Sequence, residues 1–439
     1  MKRIKSPNDY DKIKYFCPLL HYQICLKLIL NKRKIINDPV YGFISIYSDL
    51  LYDLVEHPYF QRLRRIKQLG LADIVYPGAL HTRFHHALGA MHLMGQALKV
   101  LQEKGHLIWE PELEAAQVAI LLHDLGHGPF SHVLESVMLP GVPHESITLV
   151  MMKELNRQMN GRLDMAIQMF EGTYPRRFFH QMISSQLDMD RMDYLNRDSF
   201  YTGVIEGSIG ADRLIKMLDI SKDQLVVEEK GLLSIENFLH ARRLMYWQVY
   251  LHKTLLSAQG MLTQILYRAR ELSENGEDLF ATPDFARFLK NRFSLTDFDV
   301  SADLLESFNG LDDNDVWASV KGWKTHSDPV LSKLSEMLLN RNLFKINFYD
   351  SPPEPELLGQ LREQLLHSGI TESEVPYFLV TGETTNWAYA KEQDPIRVKM
   401  KNGDLLDIAD ASDIPTIEAL TKIVRKYYVC WGKNVSLRG

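Results

Sequence analysis

The feature that most constrains the fold is a strongly apolar helical segment that ends abruptly in a histidine and an aspartate. Residues 115–122 are almost all apolar, which is typical of a helix buried on most sides. His123 and Asp124 follow directly, and the Gly-His-Gly-Pro sequence of residues 126–129 then stops the helix. A buried carboxylate is costly without a partner. The segment therefore predicts a compensating group at the end of this helix.

Helical periodicity continues on both sides of this segment. Apolar residues recur at intervals of three and four in five stretches: 48–70, 84–104, 112–125, 144–160 and 235–272. The β-rich run and Lys-Gly turn of residues 224–234 predict a small hairpin. We therefore expect a mainly α fold, with a helical core that contains a small β-hairpin.

Changes in sequence character suggest four segments. A basic N-terminal arm occupies residues 1–33, the helical core residues 34–270, and a helical extension with acidic turns residues 271–350. The Pro-rich sequence that begins at Ser351 marks a boundary, so residues 351–439 are expected to form a small α+β domain. Its expected elements are a helix at 356–367, a strand at 377–380, a hairpin around Asn402-Gly403 and a closing helix at 416–428.

The composition narrows the classes of partner and compartment. A net charge of -6 and a pI near 6.3 do not suit a protein that binds nucleic acid or an anionic membrane. Cys17, Cys25 and Cys430 lack metal-site spacing and suggest a reducing compartment. No signal-peptide pattern and no bilayer-length apolar run is evident. We expect a cytoplasmic protein with no membrane or nucleic-acid partner.

Two other segments carry side chains that can join His123 and Asp124. His86 belongs to a histidine cluster at residues 81–89, and Asp190 to an acidic stretch at residues 186–198. Imidazole and carboxylate together are a donor set for first-row metals. The alternative is that the His-Asp pair simply caps its helix and the acidic stretch is a solvated face.

The order His86, His123-Asp124, Asp190 resembles the H…HD…D metal signature of the HD superfamily. The neighbouring sequences are similar to the deoxynucleoside triphosphate (dNTP) triphosphohydrolases of that superfamily, from about residue 34 to residue 344. The sequences that carry this resemblance are Phe60-Gln-Arg-Leu-Arg-Arg-Ile-Lys-Gln-Leu-Gly, Arg83-Phe-His-His-Ala-Leu-Gly, His123-Asp-Leu-Gly-His-Gly-Pro-Phe-Ser-His and Asp190-Arg-Met-Asp-Tyr-Leu-Asn-Arg-Asp.

The resemblance implies one divalent metal ion and hydrolysis of dNTPs to a deoxynucleoside and inorganic triphosphate. The implied metal ligands are His86, His123, Asp124 and Asp190, a set that suits Mn, Fe, Ni, Co, Mg or Zn. The implied catalytic residues are His127, His132, His144 and Glu135, where Glu135 replaces the family's aspartate. The implied substrate-binding residues are Arg83, Arg191, Tyr194, Asp198, Arg242 and Tyr250, where Arg191 replaces a lysine.

The resemblance also implies a second, allosteric site for a guanine nucleotide, coupled to assembly of a homo-oligomer, either a dimer or a tetramer. The implied residues are Lys34, Asn37, Glu56, Gln61, Arg62 and Arg64. At the position of Glu56, the vertebrate member of this dNTP triphosphohydrolase group has an aspartate that recognises guanine. The alternative is an amphipathic helix with Phe60, Leu63 and Ile66 inward and the basic residues solvated.

Two other functions stay open. The chain could be an HD phosphohydrolase for another nucleotide, such as a nucleoside monophosphate or a guanosine polyphosphate, because pocket shape decides the substrate. It could also be a silent nucleotide-binding HD protein. The complete set of two histidines and two acids argues against silence, since such a buried cluster destabilises a fold unless a metal neutralises it.

Overall fold

The computed structural model describes residues 34–386, 388–392 and 394–433, except the side chains of His132, Pro415 and Thr416. The basic arm expected at residues 1–33 lies outside the described residues. The chain divides into two units after His57, and each is described by itself.

The first unit is a β-hairpin followed by one helix. Strands β1 (Lys34–Asp38) and β2 (Gly42–Ile46) pair antiparallel, and Gly42 takes a left-handed φ of 74° where the turn ends. Helix α1 (Asp49–Glu56) begins after Ser48, whose hydroxyl accepts a hydrogen bond from a backbone N–H of the first turn. The first residues of the segment expected to be a helical core, 34–46, therefore form a β-hairpin.

The second unit is mainly helical, so the expected fold class is confirmed. Its α-helices are α2 (Pro58–Gln61), α3 (Arg83–Glu103), α4 (Glu110–Leu122), α5 (His132–Met138), α6 (His144–Gln158), α7 (Asp164–Glu171), α8 (Arg177–Ile183), α9 (Met189–Thr202), α10 (Ala211–Met217), α11 (Leu232–Met245), α12 (Lys253–Glu274), α13 (Pro283–Lys290), α14 (Leu295–Val300), α15 (Ala302–Gly310), α16 (Asp313–Trp323), α17 (Pro329–Leu339), α18 (Pro355–His367), α19 (Val375–Phe378), α20 (Ile408–Ala411) and α21 (Pro415–Leu420). A π-helical turn, Tyr246–Tyr250, follows α11. Helix α3 packs against both α4 and α9. Among the described helices, none combines the length and the apolar character that crossing a membrane requires.

Two small sheets complete the second unit. Strands β3 (Leu218–Ser221), β4 (Gln224–Glu228), β7 (Arg397–Lys399) and β8 (Leu405–Asp407) form one sheet in the order β3-β4-β7-β8. Strands β5 (Lys345–Tyr349), β6 (Leu379–Asn386) and β9 (Val424–Trp431) form the other, in the order β5-β9-β6. The first sheet joins the helical core to the C-terminal residues through the parallel pair β4 and β7.

The structure corrects the position of the hairpin that was expected at residues 224–234. The turn lies at Lys222 and Asp223, which have φ of 51° and 61°, and the strands on either side are β3 and β4. The Lys-Gly pair at residues 230–231 lies in a short 3-10 turn before α11 instead. The hairpin expected at Asn402-Gly403 is present as β7 and β8, with Gly403 at a φ of 93°.

The closing helix expected at residues 416–428 was wrong in its second half. Helix α21 ends at Leu420, and Val424 begins the long strand β9. This strand is the centre of its sheet, with Val429 paired to Asn347 on one side and to Thr381 on the other. Hydrogen bonding on both edges therefore fixes the extended conformation of a run that carries aromatic and β-branched residues.

Candidate active site

Three side chains from distant parts of the chain converge on one point. His86 lies in the first turn of α3, His123 follows the last residue of α4, and Asp190 lies in the first turn of α9. The Nε2 atoms of the two histidines are 3.4 Å apart. Asp190 Oδ1 lies 3.0 Å from His86 Nε2 and 3.5 Å from His123 Nε2. Three potential ligand atoms therefore face a common centre.

The other ring nitrogen of each histidine is held by a buried acceptor. His86 Nδ1 lies 2.7 Å from Asp193 Oδ2, and His123 Nδ1 lies 2.6 Å from the carbonyl oxygen of Ile120. Arg197 donates to both carboxylate oxygens of Asp193, at 2.9 and 3.0 Å. Such contacts fix ring orientation and tautomer in metal sites. Both Nε2 atoms are thereby left to face the centre.

Close contact between α3 and α9 depends on a glycine. A Cβ atom at Gly89 would lie 1.9 Å from Asp193 Oδ1 and 2.2 Å from Arg197 Nη2. Gly89 is one helical turn beyond His86, so its missing side chain makes room for the carboxylate that orients this histidine. The glycine therefore contributes to the geometry of the site without any polar group of its own.

Asp124 lies beside this centre and also contacts two basic groups. Its Oδ1 is 3.3 Å from His123 Nε2, and its Oδ2 is 3.8 Å from His86 Nε2. Arg83 Nη1 donates to Oδ2 at 2.5 Å, while His127 Nε2 lies 3.3 Å from Oδ1. The structure thus places Asp124 next to His86 and His123, whereas the group of mutually close ligand atoms comprises His86, His123 and Asp190.

The charges of this cluster fit a divalent cation. Burial lowers the pKa of His86, but its hydrogen bonds to Asp190 and Asp193 outweigh burial and raise that pKa to about 10. Burial raises the pKa of Asp190, but His123 and His86 outweigh it and hold that pKa well below its usual range. The carboxylates therefore attract positive charge to this point. Two imidazoles and two carboxylates suit a first-row divalent ion, which would displace protons on binding.

A second group of side chains adjoins the cluster. The rings of His127 and His144 stack with centroids 3.6 Å apart, and their Nδ1 atoms lie 3.6 and 3.3 Å from Glu135 Oε1. Burial and the charge of Arg83 lower the pKa of His127, which favours a neutral ring. A Cβ at Gly126 would lie 2.0 Å from the His144 carbonyl oxygen, so this glycine lets the start of α6 approach. His132 begins α5, and its side chain lies outside what the structure describes.

A cavity of about 720 Å³ opens next to Arg83. Arg83 Nη2 donates to Ser131 Oγ at 2.7 Å, and both side chains line the cavity. Ser131 has a φ of 41°, a positive value that few non-glycine residues adopt. The π-helical turn places Tyr246 and Tyr250 on another wall, with ring centroids 5.1 Å apart. Irregular helical turns of this kind are frequent at functional sites.

Asp198 supports this wall from behind. It is 1% exposed, its Oδ2 accepts from the Tyr250 hydroxyl at 2.8 Å, and its Oδ1 lies 2.7 Å from His81 Nε2. The Tyr194 ring packs 6.1 Å from the Tyr250 ring at 75°. Asp198 was expected to contact substrate. In the structure its carboxylate is buried and accepts the hydrogen bond from Tyr250, and substrate contact stays a prediction.

Arg191 and Arg242 line a second cavity, of about 550 Å³. Arg191 forms an ion pair with Asp188, which caps helix α9. Arg242 is buried in α11. Tyr246 lines both cavities, so the two adjoin at this side chain.

The residues expected at the allosteric site are described within their own units. In the first unit Lys34 forms an ion pair with Glu56, and Asn37 is exposed on β1. In the second unit Arg64 Nε donates to Gln61 Oε1 at 2.8 Å, and Arg64 is exposed.

Arg62 differs from the other expected allosteric residues. It is fully buried, and its Nε donates to the Leu311 carbonyl oxygen at 2.7 Å and its Nη1 to that of Leu125 at 3.2 Å. The structure therefore does not offer Arg62 to a ligand. The physical reason is that this guanidinium is buried and donates hydrogen bonds to backbone carbonyl groups from two distant parts of the chain.

Several residues of the site were not identified from the sequence. Asp193 lies one turn after Asp190 and one turn before Arg197, and this i, i+4 spacing of a buried acid and base was the signal available. His81, Gln68 and Tyr246 gave no comparable signal, because only the fold brings them to Asp198 and to the cavity.

Comparisons with known proteins show which families this part of the chain resembles. The HD domain family model matches residues 83–198, and the HD associated region matches residues 209–292. YwfO, an uncharacterized protein of Bacillus subtilis, is 32% identical over 401 residues, which cover 88% of this chain and 89% of that protein. A Dictyostelium discoideum protein named as a deoxynucleoside triphosphate triphosphohydrolase SAMHD1 homolog is 29% identical over 404 residues, 84% of this chain and 70% of that protein. A phosphohydrolase crystal structure from Bacteroides thetaiotaomicron superposes with a TM-score of 0.88 at 53% identity, covering 92% of this chain and all (100%) of that one.

Proposed function

Because the chain belongs to the HD superfamily of phosphohydrolases, we propose that it hydrolyses dNTPs to a deoxynucleoside and inorganic triphosphate. One observation carries this proposal. Arg83 donates a hydrogen bond to Asp124 of the His and Asp cluster, and it also lines the adjoining cavity, whose wall contains Tyr246 and Tyr250. A phosphate bound by Arg83 would lie next to the metal ligands, while the tyrosines would face the sugar and base.

The metal ion would be held by His86, His123, Asp124 and Asp190, and it would supply an activated water and polarise a phosphoryl oxygen. Arg83 is fixed by Asp124 and Ser131, so its guanidinium is positioned in advance for a phosphate oxygen. This preorganisation lowers the cost of binding the charge that develops on the phosphoryl group.

His127 is suited to proton transfer. Burial and the charge of Arg83 lower its pKa, which favours the neutral ring, and a neutral ring can accept a proton. Glu135 Oε1 lies 3.6 Å from Nδ1 of His127 and 3.3 Å from Nδ1 of His144, so its carboxylate can stabilise positive charge on either ring. We propose that this group first takes up the proton that the attacking water loses and then donates it to the leaving oxygen of the nucleoside.

Tyr250 is proposed to select deoxyribose. Its hydroxyl is anchored by Asp198, and its ring is supported by Tyr194 and Tyr246. A ring held this rigidly against the sugar could leave no room for a 2'-hydroxyl. Selection would then be steric, since a tyrosine fixed on three sides cannot move aside.

Activation by a guanine nucleotide, together with assembly of a dimer or tetramer, is proposed from the sequence resemblance. Half-buried Gln61 and exposed Arg64 are accessible to a ligand, as is Asn37 in the other unit. The expected result is a rise in turnover and in molar mass when GTP or dGTP is added. Turnover assays and light scattering with and without these nucleotides measure both.

The deciding experiment is product analysis. The protein is loaded in turn with Mn²⁺ and with each of the other candidate divalent ions, and it is incubated with each dNTP with and without GTP or dGTP. Its products are separated by ion-exchange chromatography. Deoxynucleoside plus inorganic triphosphate supports the proposal. Release of orthophosphate or pyrophosphate would assign a different phosphohydrolase reaction, and absence of turnover with every metal would contradict enzymatic function.

A matched pair of variants connects activity to the metal. Asp190→Asn should lose bound metal and activity together, because it removes a charged ligand atom from the centre. Asp212→Asn makes the same chemical change at an exposed position of α10 and should retain both. Metal content by mass spectrometry and product release are the measurements.

A further inference from the structure

The second cavity is built by two parts of the chain that are far apart in sequence. Arg191 and Arg242 come from α9 and α11 of the HD and associated regions, whereas Thr385 and Asn386 come from the end of strand β6. The cavity adjoins the Arg83 cavity at Tyr246. A nucleotide with its base in one cavity could therefore extend its phosphates into the other.

Unpaired hydrogen-bond donors collect around this second cavity. Arg191 Nε, Arg242 Nε and Nη1 and Asn386 Nδ2 are buried and have no hydrogen-bond partner among the described residues. Arg242 and Asn386 are only 6% and 5% exposed. Buried donors are rarely left unpaired, because each loses its bonds to water without replacement. All four atoms are donors, so the missing partner is a group rich in acceptor oxygens.

The charge of the cavity selects the same kind of partner. A third arginine, the exposed Arg177, also lines the cavity together with Arg191 and Arg242. The one carboxylate among the described lining residues, Asp394, accepts a hydrogen bond from the backbone N–H of Gln186 at 3.0 Å. Arg191 is already paired with Asp188 through Nη1. A polyphosphate chain would offer acceptor oxygens to the remaining nitrogens of these side chains and negative charge to Arg242 and Arg177.

Asn386 is held in place by the sheet and by a polar clamp. Its backbone pairs with Val424 of β9. A few residues later, Gln186 binds the chain at Ala390: its Oε1 accepts from Ala390 N at 2.7 Å and its Nε2 donates to Ala390 O at 2.9 Å. The C-terminal region is thus fixed to the HD core beside the cavity.

We propose that Asn386 binds the terminal phosphate of the substrate together with Arg191 and Arg242, so that the C-terminal region completes the phosphate end of the pocket. The identity of the ligand as a nucleoside triphosphate rests on the proposed function. The presence of a polyphosphate site rests on the cavity itself. Asn386 is then a substrate-binding residue that the HD and associated regions do not contain.

Inorganic tripolyphosphate is the probe that separates these two claims, because it needs no turnover and no nucleoside. Its affinity is measured by calorimetry for the full chain and for Asn386→Ala and Asn386→Asp. Loss of a hydrogen bond to a charged group should weaken binding about tenfold in Asn386→Ala. Asn386→Asp should weaken it further, because its carboxylate would compete for the arginines. Asn347→Asp, at an exposed position of β5 in the same sheet, is the charge-matched control and should bind normally.

Kinetics provide the second measurement. Loss of a contact that is the same in the ground state and the transition state raises KM and leaves kcat unchanged. We expect this pattern for Asn386→Ala with a dNTP substrate, and thermal unfolding identical to the parent protein would exclude misfolding.

The outcomes are distinguishable. If Arg242→Gln weakens tripolyphosphate binding but both Asn386 variants bind like the parent, the role of Asn386 is refuted and the anion site stands. If the parent does not bind tripolyphosphate, the cavity is not a phosphate site and the inference fails. If tripolyphosphate binds with the expected variant pattern but no dNTP is hydrolysed, the inference stands and the proposed function fails.

Discussion

Asp193 offers a sharp test of how the protein interior tunes the metal centre. Its carboxylate lies 2.7 Å from His86 Nδ1 and accepts hydrogen bonds from Nε and Nη2 of Arg197, and all three side chains are buried. Asp193→Asn preserves size but removes the charge. We expect two separate losses, one in metal affinity and one in stability.

Each loss has its own magnitude. A weaker partner for His86 should lower metal affinity by about 10- to 100-fold, the usual effect of removing a group that orients a metal ligand. Arg197 would keep its charge without an ionised partner, and breaking a buried ion pair in this way costs about 3–5 kcal/mol of unfolding free energy. The amide oxygen of the substituted side chain still accepts one hydrogen bond, so the lower end is expected.

The double variant Asp193→Asn/Arg197→Met separates the two effects. It removes both charges, so stability should return toward that of the parent protein, while metal affinity should stay low because His86 still lacks its carboxylate. Metal affinity is measured by competition with a chromophoric chelator, and stability by urea unfolding of metal-free protein. Parent-like metal affinity in Asp193→Asn, or its recovery in the double variant, would refute the reasoning.

Three further predictions follow from particular contacts. Gly126→Val should destabilise the protein and reduce turnover more than metal binding, because a Cβ there would lie 2.0 Å from the His144 carbonyl oxygen; urea unfolding and turnover assays check it, and a fully active variant would contradict it. Tyr250→Phe loses the hydroxyl that donates to Asp198, so we expect about 1 kcal/mol less stability and a lower ratio of kcat/KM for dATP over ATP; an unchanged ratio would exclude a role in sugar selection. Burial raises the pKa of Asp313 from 3.8 to about 6, so its ionised form opposes folding above pH 6 and this penalty disappears as the pH falls to 4. Relative to Asp313→Asn, the parent should therefore gain up to roughly 3 kcal/mol between pH 7 and pH 4, and a stability difference independent of pH would rule this out.

The C-terminal region shows where local sequence reasoning reaches its limit. The helix at residues 356–367 and the turn at Gly403 could be predicted, because periodicity and an Asn-Gly turn act over a few residues. The sequence pattern also favours a helix at residues 424–428, where the structure has strand β9. Short apolar runs are ambiguous between the two states, and the partners β5 and β6 lie far away in sequence.

The sequence patterns predicted the helical character of the core, and the resemblance to the HD superfamily implied the four side chains expected at the metal centre. Each of these side chains lies near the end of a helix, and neighbouring residues determine where that helix begins or ends. The glycines after His123 are an example.

The groups that surround that centre are set by tertiary packing instead. Asp193 orients His86, Asp198 turns inward to hold Tyr250, and Asn386 reaches the second cavity from a strand near the other end of the chain. The physical reason is that local propensity acts through neighbours along the chain, whereas burial, charge pairing and cavity shape depend on which distant surfaces pack together.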